Sequence, residues 1–316
     1  MFRKTKSFLV LTFILTAALL TVACGAKPNN TEQEVSPTPT PSTTAGPAKG
    51  DFLIGVIPAS GTSNMKTGAD KLAAILSEKL GRNVKAEVYP DYNGVVEAMG
   101  AGKVQMAYLG PLTYVEAHER YDVKAIATVL VSGQPFYYSY MIAHKDSPYN
   151  SFDDIKANAA NIRFAFGDIS STSGSLVPGI ALKKAELFKS QQDSKFKSIT
   201  YTGAHDATAL AVQNKTQDVG AIDSAIFDNL VKNGKIDGSQ FKIIWKSEQL
   251  FQYPFAVEKT VPEADIKKIQ EAMFAITDKD ILSAFNGASA FTAAKNEDYA
   301  AIRQAAIEDS RVKPKQ

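Results

Sequence analysis

From residue 52 onward the chain alternates short apolar runs with helix-period segments, and it does so twice. Residues 53–57, 84–89, 104–109 and 123–131 read as strands. Between them Leu72, Ile75, Leu76 and Leu80 recur at helical spacing up to Gly81, and 92–99 and 114–120 are helical. After the break Ser132-Gly133-Gln134-Pro135 the alternation returns, with strands at 136–143, 162–166, 196–201, 219–223 and 241–245. The helices among them are 153–160, 176–188, 206–214 and 225–231. An extended segment, 250–257, follows, then helices at 266–274, 280–285 and 299–307. Strand–helix alternation with short connections requires a parallel or mixed sheet covered on both faces. Two such units, with extended crossings near 133–140 and 246–254, predict two α/β lobes. One lobe is 51–135 plus 250–316, the other 136–249, with a hinge and a central ligand cleft between them.

The N-terminus is of another kind. Arg3, Lys4 and Lys6 precede an apolar run at 8–23 of signal-peptide size, and the only cysteine, Cys24, follows it. Leu20-Thr21-Val22-Ala23-Cys24-Gly25 resembles a bacterial lipoprotein cleavage site, with Thr21 in place of the usual aliphatic residue. The resemblance implies removal of 1–23 as a signal peptide and lipidation of Cys24, which holds the protein to the outside of the bacterial cell membrane. An uncleaved anchor or a plain secretory signal are the alternatives. The Pro/Thr/Ser-rich stretch 24–50 cannot build a core and reads as a disordered tether. The formal charge is +2, and −1 without the three leader cations, so nucleic acid is not an expected partner.

The most informative local pattern lies at 162–188. An apolar strand ends, Ser171-Thr172-Ser173 follows, and a helix opens with Pro178 near its first turn. Unpaired N–H groups, the positive end of the helix dipole and three hydroxyls together form a cup for a small oxyanion. Ordinary capping by Ser and Thr is the bland alternative. Ligands of such sheets sit beyond the carboxyl ends of strands. The polar residues placed there are Ser60 and Thr62 after the first strand, Tyr92 after the second, Tyr108 in the third, then His205 and Asp223. Tyr92 could instead be a surface turn residue, Tyr108 core, and His205 or Asp223 simple caps. His118, mid-helix, and His144, at a strand end, read as structural. Asp223 beside an anion would repel it unless the ligand carries a proton to donate. Phosphate, phosphite and phosphonate monoanions have a P–OH, and sulfate at neutral pH has none, so Asp223 would act as a selectivity device.

Arg82, Arg120, Arg163, Arg303 and Arg311 are the arginines beyond the leader, and none follows a strand, which disfavours a carboxylate clamp. There is no Walker A lysine after Gly174, no His-Glu-x-x-His and no nucleophile elbow. No cofactor, metal or catalytic residue is expected, and the chain is read as a binding protein rather than an enzyme.

The chain resembles the periplasmic phosphonate-binding proteins of ABC transporters, a family that also includes phosphite and hypophosphite binders. The resemblance rests on Ile54-Gly55-Val56-Ile57-Pro58, Pro90-Asp91-Tyr92-Asn93-Gly94, Ala107-Tyr108-Leu109-Gly110-Pro111, Lys145-Asp146-Ser147-Pro148, Gly167-Asp168 with Ser171-Thr172-Ser173-Gly174, Val177-Pro178-Gly179, Gly203-Ala204-His205-Asp206 and Ile244-Trp245-Lys246-Ser247. It implies the type II periplasmic binding protein fold and delivery of a phosphorus oxyanion to a membrane permease by a monomer. It also implies that Ser171, Thr172 and Ser173 hold the oxyanion while Tyr92, His205 and Tyr108 line the pocket. Aminoalkylphosphonate binders use acidic residues for the ligand ammonium, one of them in the loop after Trp-Lys-Ser. Here that loop, 249–254, has no acid after Glu248, which leaves Asp223 alone. A smaller or uncharged-tail ligand is therefore expected: phosphite, methylphosphonate or phosphate. The remaining alternatives are a same-fold receptor for an organic ligand, such as a thiamine precursor or an amino acid, or an enzyme on these lobes.

Overall fold

The computed structural model describes residues 50–315; the leader, Cys24 and nearly all of the 24–50 segment lie outside the described residues. The first run of elements is β1 (Phe52–Val56), α1 (Thr62–Leu80), β2 (Val84–Val88), α2 (Tyr92–Gly100), β3 (Met106–Tyr108), α3 (Pro111–Tyr121) and β4 (Lys124–Leu130). The chain then crosses through β5 (Phe136–Tyr137) into β6 (Ser139–His144), α4 (Phe152–Asn158) and β7 (Arg163–Phe166). A π turn (Thr172–Leu176) runs directly into α5 (Val177–Lys184), followed by β8 (Ser198–Tyr201), α6 (His205–Gln213), β9 (Val219–Asp223), α7 (Ser224–Lys232) and β10 (Phe241–Lys246). It returns through β11 (Leu250–Phe251) to β12 (Pro254–Val257), α8 (Glu263–Phe274), α9 (Lys279–Ala284), β13 (Ala290–Ala293) and α10 (Ala300–Glu308).

These strands make two mixed sheets, one per lobe. The six-stranded sheet has the order β13-β4-β12-β3-β1-β2, and the five-stranded sheet has the order β10-β6-β9-β7-β8. In the first, β1 runs parallel to β2 and β3, while β12 is antiparallel to both β3 and β4. In the second, β7 runs parallel to β8 and β9, and β6 is antiparallel to β9. Each sheet therefore carries three parallel strands whose carboxyl ends present loops at one edge. The two crossing segments pair as a short antiparallel ladder, Tyr137 opposite Leu250 and Phe136 opposite Phe251.

Burial explains the strand sequences. Phe52, Ile54 and Val56 of β1 are fully buried, as are Phe164, Ala165 and Phe166 of β7, because helices cover both faces of each sheet. A compact aromatic cluster, Phe164, Phe166, Phe188 and Phe196, fills the core of the second lobe. At roughly 1.5–3 kcal/mol for each fully buried large apolar side chain, such clusters are the main favourable contribution to folding.

The structure differs from the sequence expectation in several places. The strand expected at 136–143 is two strands, because β5 pairs with β11 while β6 joins the second sheet. The extended segment 250–257 is divided for the same reason, into β11 and β12. The helix expected from 114 starts at Pro111, whose missing N–H costs nothing in a first turn. The helix expected from 176 is already coiled at Thr172, so the hydroxyl run is itself the first turn. In addition, β13 carried no strand signal: Ala290–Ala293 is a weak β sequence held by its partner β4.

Candidate functional site

The loop after β7 is tightly built. Ser171, with extended backbone angles, caps the π turn, and its Oγ accepts from the Gly174 N–H at 3.0 Å. Gly167 N–H donates to the Gly174 carbonyl at 2.8 Å, folding the loop back on itself. A Cβ on Gly174 would stand 2.9 Å from Ser171 Oγ and 3.0 Å from His205 Cε1, so only glycine fits there. The Ser173 carbonyl accepts from Ser139 Oγ at 2.6 Å, while the Ser173 hydroxyl is buried and without a partner. Thr172 Oγ1 accepts from the Leu112 N–H of α3, in the other lobe, at 2.8 Å, and Thr113 Oγ1 donates to the Ser170 carbonyl at 3.1 Å.

His205 and Asp223 stand beside this loop, after β8 and at the end of β9. His205 Nδ1 accepts from the Asp223 N–H at 3.3 Å. That bond assigns the proton to Nε2, which faces Tyr253 Oη at 3.2 Å and Ser171 Oγ at 3.5 Å. Burial drives the imidazole pKa down to about 3, so His205 is a neutral donor at any physiological pH. Asp223 caps α7: its Oδ1 accepts from Ala225 N–H at 2.7 Å and Ile226 N–H at 3.0 Å. Its Oδ2 is buried and has no partner. Burial pushes this carboxyl up to about 7, against the downward pull of the two amides and of Tyr253.

Three tyrosine hydroxyls complete the set. Tyr92, Tyr108 and Tyr137 are buried, and none of their hydroxyls has a hydrogen-bond partner. Burial raises all three phenols well above their ordinary range, and the charge of Asp223 adds to it in each case. Tyr92 lies beside Ser171, and Tyr137 beside Ser173 and Thr172, without completing a hydrogen bond. Tyr253 packs against Tyr108 and Tyr137 with ring centroids 5.6 and 5.5 Å away. The result is a sealed, polar centre: four unpartnered hydroxyls, a neutral imidazole N–H and one unpartnered carboxylate oxygen. No Lys or Arg stands among the buried polar side chains of the described residues. Each unsatisfied buried polar group costs about 1–3 kcal/mol, so a native fold keeps several in one place only for a reason. Hydroxyl donors around one acceptor whose charge is half titrated near neutrality suit a small anion that carries its own proton.

A family model described as the periplasmic substrate-binding protein of phosphonate ABC transporters matches residues 54–299. The chain belongs to that family. It is 33% identical to the phosphonates-binding periplasmic protein of Escherichia coli K12 over 219 residues, 69% of this chain; the match spans 64% of that relative's length. It is 32% identical to the phosphate-import protein PhnD of Mycolicibacterium smegmatis over 241 residues, 74% of each chain. The crystal structure of a binding protein component of an ABC phosphonate transporter from Pseudomonas aeruginosa superposes with a TM-score of 0.74 at 30% identity, covering 83% of this chain and 87% of that one. The two lobes, hinge and central cleft are those of the type II periplasmic binding protein fold.

In this phosphonate-binding family member, the fold brings seven of the residues singled out in the sequence to one place: Ser171, Thr172, Ser173, Tyr92, Tyr108, His205 and Asp223, each at most 1% exposed. Ser60 stands apart from them. It is half-buried and lines a groove of about 290 Å³ between the lobes, together with Asp206 and Leu210. Thr62 opens α1, and its side chain lies outside the described residues, as does Cys24. His118 and His144 are tied to local backbone, at Val123 O and Asp146 N respectively. Tyr137 and Tyr253 were not singled out in the sequence. Both lie on the crossing segments, and the density of tyrosine and phenylalanine in 136–140 and 251–255 was the available signal.

Proposed function

We propose that this protein is the substrate receptor of an ABC importer and captures a small phosphorus oxyanion: phosphite, methylphosphonate, phosphate or another compact phosphonate. The observation that carries this reading is a set of buried, unpartnered hydroxyls whose phenols feel the charge of Asp223, itself with an unpartnered Oδ2, and no buried Lys or Arg among the described residues. Ser171, Thr172, Ser173, Tyr92, Tyr108, Tyr137 and His205 would donate to the oxygens, and Asp223 would accept the P–OH proton. The absence of an acid in 249–254 argues against an aminoalkyl tail. Lobes made of 51–135 plus 250–316 and of 136–249 would close on the ligand through the β5–β11 crossing, and the closed form would dock on the permease. Cys24, lipidated after removal of 1–23, would anchor a monomer to the outer face of the cell membrane, with 24–50 as tether. Family membership supports a transport role rather than catalysis.

Titration calorimetry of the mature chain with phosphite, methylphosphonate, phosphate, sulfate, aminoethylphosphonate and thiamine tests the reading. Heat from at least one of the first three, and none from sulfate or thiamine, is the expected result. Binding of thiamine alone would overturn it.

A further inference from the structure

Helix α1 starts at Gly61 without a cap of its own. Gly61, its cap residue, has no side chain with which to cap the helix, and the first turn contains no acid. Instead the Gly61 N–H donates to Asp206 Oδ2 at 3.0 Å. Asp206 belongs to α6, between β8 and β9 of the second sheet, while Gly61 follows β1 of the first. The two residues are 145 positions apart in sequence and face each other across the groove between the lobes. One residue away, the His205 N–H donates to the Ala59 carbonyl at 3.1 Å, which fixes the register of this contact. Gly61 has φ +24°, a conformation most side chains avoid, so the backbone is shaped to present its N–H to the other lobe. The start of α3 repeats the arrangement. Its cap position, Gly110, supplies no side-chain bond, and the Leu112 N–H is taken by Thr172 Oγ1 from the second lobe.

We propose that Asp206 is a positioning residue for ligand capture: it caps α1 in trans, so that closing the lobes completes a helix cap and tightens binding without contact with the ligand. The proposal rests on the reading above that the lobes close on a bound anion. A helix start has unpaired amides and partial positive charge, which water satisfies when the lobes part and a carboxylate satisfies better when they meet. The same pairing spends the Asp206 charge on a helix end, so it does not stand as a free anion beside an anionic ligand. An ordinary capping effect corresponds to a several-fold change in the equilibrium between parted and closed lobes.

The test uses Asp206→Ala and Asp206→Asn in the mature chain. Methylphosphonate affinity by calorimetry should fall three- to tenfold in Asp206→Ala, through faster dissociation. Asp206→Asn, whose amide oxygen still accepts a hydrogen bond, should recover part of the loss. Hydrogen exchange at the Gly61 amide, followed by NMR, should be at least fivefold faster in Asp206→Ala than in wild type. Affinity within 1.5-fold of wild type would overturn the proposal, as would weakened binding with unchanged Gly61 exchange. Failure of wild type to bind methylphosphonate, phosphite or phosphate would instead refute the ligand reading. In that case Gly61 exchange in the unliganded proteins decides the cap: faster exchange in Asp206→Ala supports it, and equal rates refute it.

Discussion

Replacing Asp223 with asparagine should change how the stability of the unliganded protein depends on pH. The folded carboxyl titrates at about 7, against an ordinary value of 3.8, because burial disfavours its charge. Between those two values the folded state holds a proton that the unfolded chain has released. Stability therefore falls as pH rises from about 4 to about 7, and is level above that. Converted directly, that displacement amounts to about 4 kcal/mol at pH 8, an upper bound for one buried group. The asparagine would keep the cap, since its side-chain oxygen can accept from the Ala225 and Ile226 N–H groups, but it has no charge to bury. The neutral His205 and every other titrating group are common to both proteins and cancel in the difference. Urea denaturation of wild type and Asp223→Asn at pH 4.5, 6 and 8 is the assay. The two proteins should be close at pH 4.5, and the variant should be ahead by up to about 4 kcal/mol at pH 8. Parallel pH profiles would refute the claim that this carboxyl is held near neutrality by burial. The same variant presents a donor where Oδ2 was an acceptor, so its preference for protonated oxyanions over sulfate should shrink.

Tyr137→Phe should have opposite effects on the free and bound protein. Removing a buried hydroxyl that has no partner leaves unliganded stability unchanged or raises it by about 1 kcal/mol, while the affinity for the bound oxyanion falls about tenfold. Thermal denaturation with and without ligand reads both, and equal affinities would remove Tyr137 from the site. Thr172→Val should strand the Leu112 N–H, at a cost of about 1–3 kcal/mol to the contact between lobes, and also delete a donor to the ligand. Affinity within twofold of wild type by calorimetry would exclude the π turn as the anion cup.

Much of this arrangement was legible because local chemistry and the global fold agree. The strand at 162–166, the hydroxyls at 171–173 and Pro178 announce a helix start after a sheet edge, and Ser171 caps that turn in the structure. His205 and Asp223 could be placed because one follows a strand and the other ends one, and 219–223 was bounded correctly from its apolar run. Tyr137 and Tyr253 escaped because their positions depend on the pairing of two segments more than a hundred residues apart, which no periodicity encodes. The split of 136–143 into β5 and β6 failed for the same reason: an aromatic-rich run says strand but not which partner each half will find. Ser60 followed a strand as the rule asks, yet the turn into α1 carries it to the rim.

The place of β12 between β3 and β4 has a consequence for biogenesis. A chain that crosses a membrane from its N-terminus exposes β1 to β4 first, but β4 pairs only with β12 and β13, which follow the whole of the second sheet. The first sheet therefore waits, open at its middle, until residue 257 has emerged. Cutting the gene after β10 would leave β4 as an unmatched strand, so the first sheet cannot be secreted as a module of its own, whereas the second sheet draws all five of its strands from the one stretch between β5 and β11.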